Sequence, residues 1–232
     1  DIAVLLARTL LAIAALSAAA FATGGHAAAH SLEDLEAQLF EREQYVEIVD
    51  RPAPGFSLQD ADGRPVGLAD LRGKVVVLNF IYAGCPDVCP LHSERVAELQ
   101  AMINLTPMRE QVQFVTITTD PAWDTPDVLR GHGAAHGLDP VNWVFLTSRA
   151  PEATRTIARE YGLEFTETPD GLQMHSVVTH LIDREGHLRS RYHSLKFAPV
   201  NLVTHVNAPV NEHHRPHDEA EPSFWNRLRA LF

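Results

Sequence analysis

The sequence predicts an α/β fold whose sheet is mixed rather than wholly parallel, and three observations carry that prediction. "KVVVLNFIYA" (74–83) is a continuous apolar run rich in Val and Ile, as expected of a central strand buried on both faces. Strand-like and helix-like segments alternate after it. "HSVVTHLID" (175–183) and "HLRSRYHS" (187–194) are then joined by "REG", the signal of a closing β-hairpin.

The elements follow in order. Residues 2–22, "IAVLLARTLLAIAALSAAAFA", are almost entirely apolar, with Arg8 the only charge, and read as a membrane-directed segment, a signal peptide or an N-terminal anchor within residues 1–30. "HSLEDLEAQLFEREQYVEIVD" (30–50) mixes charge with leucine and reads as a short helix or tether, so 31–51 is expected to link that segment to a domain starting at "RPAPGF". "GFSLQDADGRPVGLADLRGK" (55–74) predicts an N-terminal hairpin turning at Asp62–Gly63. After the central strand come a helix over 91–104, a strand over 112–119 and a helix over 126–137. A strand over 142–148 and a helix over 151–161 follow, and the closing hairpin ends the domain near residue 198. Residues 199–232 are Pro- and His-rich and read as a tail. At its end, "SFWNRLRALF" puts Phe224, Trp225, Leu228, Leu231 and Phe232 on one side of a helix suited to a membrane surface, the domain itself or a partner.

Composition narrows the function. With 45% apolar residues and 10 Phe, the chain can build a real core. A net charge of −11 argues against nucleic-acid binding, which needs a basic face to displace counterions. "GHGAAHG" has its glycines at the wrong offsets for a dinucleotide fingerprint, and "GLADLRGKV" lacks the spacing and the Ser/Thr of a phosphate-binding loop. "NLT" (104–106) matches a glycosylation sequon in form only.

The two cysteines of the chain, Cys85 and Cys89, lie in "GCPDVCP" directly after the central strand. In open α/β sheets reactive groups gather beyond the carboxyl ends of strands. Pro90 suits a first helical position, so both cysteines are expected in the turn entering the 91–104 helix, near its positive end. A disulfide closing so small a loop gains little chain entropy, which favours a redox or metal role over a structural one. Two thiolates alone leave a metal under-coordinated, so a metal site here requires a third ligand.

"FIYAGCPDVCP", "TTDPAWDTP" and "HSVVTHLIDREGHL", in this order, resemble the Sco/SenC family over residues 52–195. The resemblance implies a thioredoxin-like fold, a place in the periplasm or the mitochondrial intermembrane space (here expected on the periplasmic side of the inner membrane), and copper delivery to cytochrome c oxidase. It implies copper ligands at Cys85, Cys89 and His175, with His175 at the start of a strand. As partner it implies the copper-bearing subunit of the oxidase or another copper acceptor. Thiolate suits Cu(I) and imidazole also serves Cu(II). A thiol–disulfide oxidoreductase that reduces the acceptor's cysteines is the alternative and needs only Cys85 and Cys89 as a redox pair; a peroxidase is a third reading without a supporting motif.

Met174 stands where the family commonly has Asp, and Leu91 where it often has Thr. Asp120 reads as a residue beside the site or as a turn residue. Asp124, Thr125 and Pro126 read as a helix start. His180 is expected on the opposite strand face from His175. His92 is expected on an exposed helix face, and His132 and His136 as a solvated i,i+4 pair. His213, His214 and His217 could recruit copper from the tail.

Overall fold

A computed structural model of the chain describes residues 37–38, 41, 43–85, 88–167 and 173–211. The membrane-directed segment, the tail histidines and the C-terminal amphipathic stretch lie outside the described residues, and no described helix is long and apolar enough to cross a membrane.

The centre is a six-stranded sheet of order β1-β10-β9-β4-β5-β6. β4 (Val75–Ile81), β5 (Val112–Thr118) and β6 (Trp143–Leu146) run parallel. β9 (Val178–Ile182) is antiparallel to β4, β10 (His187–His193) to β9, and β1 (Val46–Pro52) to β10. The sheet is therefore mixed, as the closing hairpin implied. All seven residues of β4 are buried, which accounts for its unbroken apolar run.

Helices cover both faces. On one, α1 (Val88–Asn104) and α4 (Pro199–Asn211) pack Val96, Leu99, Ile103, Leu202 and Val206 onto Val75, Val77 and Phe114. On the other, α3 (Pro151–Glu160) packs Ala158, with Tyr161 beyond its end, against Val76, Leu78, Phe80 and Ile117. α2 (Pro126–Ala135) sends Leu129 into a smaller cluster with Ile81, Tyr82, Cys85, Cys89 and Phe145.

Both predicted hairpins form, and an aspartate fixes each turn. β2 (Ser57–Gln59) and β3 (Pro65–Gly67) are joined by a loop in which Asp60 Oδ1 accepts from the amides of Asp62 and Arg64 at 2.8 and 2.9 Å. Gly63 takes φ 79° there, a left-handed conformation that glycine tolerates. Between β9 and β10, Asp183 Oδ1 accepts from the amides of Glu185 and His187 in the same manner.

Two segments depart from expectation. Residues 46–50, read as the end of a tether, are most of β1: the charges of "VEIVD" sit at a sheet edge, where Glu47 meets Arg191 at 2.7 Å and His193 at 2.9 Å. Residues 199–211, read as the start of an irregular tail, are α4. Its apolar stripe of Leu202, Val206 and Val210 is completed by His205, which is buried and hydrogen-bonded to Tyr192 Oη at 3.0 Å. Glu43 starts the helix by accepting from the Ala198 amide at 2.9 Å.

Candidate metal centre

Cys85 and Cys89 lie beyond the carboxyl end of β4, where the sequence places them, and neither is in a disulfide. Their backbone setting differs from expectation. α1 begins at Val88, so Cys89 sits in its first turn rather than ahead of it, and Pro90 is the third helical residue. The helix tolerates that proline because the first amides of a helix have no intrahelical acceptor. Cys85 closes a turn by donating its amide to Tyr82 O at 3.2 Å.

The two thiols are hydrogen-bonded to each other, and packing against Leu129 and Phe145 leaves Cys85 8% and Cys89 2% exposed. Burial pushes the Cys89 thiol well up from its ordinary range; the Cys85 hydrogen bond and the nearby Asp124 charge add to it. Cys89 therefore rests as a neutral thiol, and a soft cation or an oxidant must displace its proton.

Asp124 is the residue that sequence reasoning missed. It does not cap a helix: Thr125 does that for α2, accepting from the Val128 amide. Asp124 is buried, accepts from the Ala83 amide at 3.1 and 3.2 Å with its two oxygens, and accepts from the Thr118 hydroxyl. It therefore ties the loop after β5 to the loop that carries Cys85. Burial raises its pKa, opposed by the Thr118 and Ala83 hydrogen bonds. The sequence signal was its place in "TTDPAWDTP", but a capping role explained the same letters.

Asp120 serves the turn through its backbone: its carbonyl accepts from the amides of Trp123 and Asp124 at 3.2 and 3.0 Å. Its carboxyl pKa is raised by partial burial, against the opposing charge of Arg155.

Three histidines were misplaced or only half understood. His92 is buried, its Nε2 3.0 Å from Thr179 Oγ1. His132 is buried rather than solvated; its Nε2 lies 2.8 Å from Ser93 Oγ, and its ring is 4.4 Å from that of the half-buried His136. Burial, reinforced by His136, lowers its pKa to about 4. His180 is buried in β9, between Leu78 O and Tyr161 O at 3.3 Å each, and is neutral with a pKa lowered by burial to about 4.

His175 does not start β9. It ends β8 (Gln173–His175), a short strand paired with β7 (Phe165–Glu167), with His175 opposite Phe165. The His175 and Met174 side chains lie outside the described residues. Among the described residues no three His, Cys, Asp or Glu side chains converge as a metal site. What the structure brings together is the dithiol, the softest donor pair this chain contains, and such a pair suits a thiophilic ion.

The family model SCO1/SenC matches residues 49–210. The chain is 25% identical over 150 residues to the SCO1 protein homolog of Bacillus subtilis, covering 64% of this chain and 77% of that protein. BsSco, a member of the Sco family of cytochrome c oxidase assembly proteins in which a disulfide switch was identified, superposes with a TM-score of 0.64. It is 22% identical, and the match covers 72% of this chain and 98% of that one. Copper-bound ScoI of Arabidopsis thaliana superposes with a TM-score of 0.59 at 26% identity, covering 68% and 99%. The expected thioredoxin-like architecture is the one found.

Proposed function

The chain belongs to the SCO1/SenC family, and from that premise we propose that it carries one copper ion, held by Cys85, Cys89 and His175, to the binuclear copper site of cytochrome c oxidase during assembly. The observation that carries this reading is the contact between the Cys85 and Cys89 thiols beyond the carboxyl end of β4. Copper is the cargo: two thiolates hold it in its Cu(I) form, and an imidazole extends the set to Cu(II). Loading releases the Cys89 thiol proton, and delivery proceeds as incoming thiolates replace Cys85 and Cys89 one at a time. We place the domain on the periplasmic side of the inner membrane, attached or exported through residues 1–30.

The same contact supports a second reading. One thiolate attacks the acceptor's disulfide to form a mixed disulfide; the other cysteine resolves it, leaving the acceptor as a dithiol and Cys85–Cys89 oxidised. His175 separates the two readings, because copper retention uses it and thiol exchange does not.

The test is copper stoichiometry of the reduced chain, beside His175→Ala, a Cys85→Ser/Cys89→Ser double variant, and a form with His213, His214 and His217 changed to Ala. The carrier reading expects one tight copper that survives the tail change, weakens with His175→Ala and vanishes without the cysteines. Binding indifferent to all three ligands would sink it.

A further inference from the structure

Few large apolar side chains of the described residues are exposed, and three of them stand on the segments that converge on the cysteine pair. Trp123 is 79% exposed, in the loop that Asp124 pins to Ala83. Leu91 is 52% exposed, two residues past Cys89 in the first turn of α1. Val128 is 40% exposed, beside Leu129, which packs on both cysteines. A solvent-facing Trp at the rim of a reactive pair is typical of an interface anchor, since Trp leads among residues that dominate binding energy.

We propose that Trp123, Leu91 and Val128 form the docking surface for the copper acceptor, a protein whose own copper ligands are rimmed by basic residues. The inference deepens the copper-carrier reading and rests on it. Two arguments fix the occupant. The thiols are almost fully covered, so a ligand-exchange partner has to seat against the residues around them. The local charge at the surface is also acidic: in residues 88–95 and 119–135, Glu94, Asp120 and Asp127 reach solvent against Arg95 and Arg130, while Asp124 is buried. Arg130 is already engaged by Asp127 at 2.6 Å and by Asp62 at 3.4 Å, and Arg95 by Glu98 at 2.6 Å. Glu94 lies three residues beyond Leu91 and shares its exposed helix face. Such a rim attracts a basic protein surface and is repelled by an anionic membrane.

The experiment mixes the full-length reduced chain, with and without copper, with the soluble copper-bearing domain of its cognate oxidase subunit. Complex affinity and copper-transfer rate are both read as functions of salt, for the wild type, Trp123→Ala, Leu91→Ser and Glu94→Lys/Asp127→Lys. Trp123→Ala should weaken the complex and slow transfer about tenfold, as expected for loss of an interface anchor, while copper affinity stays at the wild-type value. The double charge reversal should lower the association rate and flatten its salt dependence. Wild-type transfer by Trp123→Ala would overturn the proposal, as would an effect of that variant confined to vesicle binding or to self-association. A wild-type chain that holds no copper yet forms a Trp123-dependent complex would refute the carrier reading and leave the docking surface standing.

Discussion

His180 should make folding stability fall as pH drops from neutrality, and the size of the effect follows from its surroundings. Its ring is enclosed by Phe80 and Tyr161, in edge contacts at 5.8 and 5.1 Å, and no carboxylate is hydrogen-bonded to it. Burial in this setting opposes the imidazolium, and Arg191 and His193 add positive charge. The two carbonyls at 3.3 Å favour the charged ring, but these bonds are long and burial outweighs them. An unfolded histidine titrates at 6.5 and His180 at about 4, so below pH 6.5 the unfolded chain binds the proton first. The stabilisation is complete above pH 6.5 and is lost as pH falls toward 4, reaching about 3 kcal/mol from this one group.

The assay is urea unfolding at pH 7 and pH 4.5 for the wild type and His180→Phe. The phenylalanine keeps the ring contacts and removes the titration. It lowers stability at both pH values, because a carbonyl loses its donor, and this constant offset cancels when slopes are compared. The wild type should lose about 2 to 3 kcal/mol more than the variant between the two pH values. His132 contributes in the same direction and remains in both proteins, so the difference reports His180 alone. Identical pH dependence in the two chains would refute the claim that burial keeps His180 neutral.

Asp124→Ala leaves the Ala83 amide and the Thr118 hydroxyl without their acceptor. It should cost about 2 to 4 kcal/mol in urea unfolding and weaken copper binding at least about tenfold in competition with a chromophoric chelator, since the Cys85 loop loses its tie. Gly133→Ala drives a methyl into the Trp143 ring; a loss of about 1 to 3 kcal/mol and an altered near-UV aromatic signal are expected, and an unchanged melting temperature would mean the ring moves freely aside.

The parts of the fold legible in the sequence were those in which one physical signal dominates. β4 could be read because burial on both faces leaves no polar residue except Asn79, the first hairpin from Asp62–Gly63, and the closing hairpin from "REG" between two strand-like runs. β1 was missed because its charges lie along a partly exposed sheet edge, and α4 because a buried histidine completes its apolar stripe. His205 reads as a solvated histidine until Tyr192 Oη supplies its partner, and Glu43, which starts α4, is distant from it in sequence. The cysteine pair was legible because its chemistry is local. Asp124, His92 and His132 were not, since each owes its role to a partner on another element: Ala83, Thr179 and Ser93.

Those contacts also explain how the thiols are kept together. Beneath the first two turns of α1 the sheet does not present hydrocarbon alone. Thr179, Asn79 and Thr116 lie in one register row across β9, β4 and β5. Thr116 donates to Asn79 Oδ1 at 2.8 Å and accepts from Trp143 Nε1 at 3.0 Å, while His92 meets Thr179 and Ser93 meets His132. Apolar contact is non-directional, so Val96 and Leu99 alone would tolerate a small rotation of α1 on the sheet. Hydrogen bonds at these distances would not, and each buried group left unpaired by such a turn costs about 1 to 3 kcal/mol. The helix carrying Cys89 is therefore fixed in azimuth by polar contacts, and Asp124 fixes the loop carrying Cys85 from the neighbouring strand. Convergence of the two sulfurs thus depends on bonds that contribute little to the bulk of the core. Substituting Ser93 or His132 should disturb thiol chemistry at a point where most of the hydrophobic core still stands.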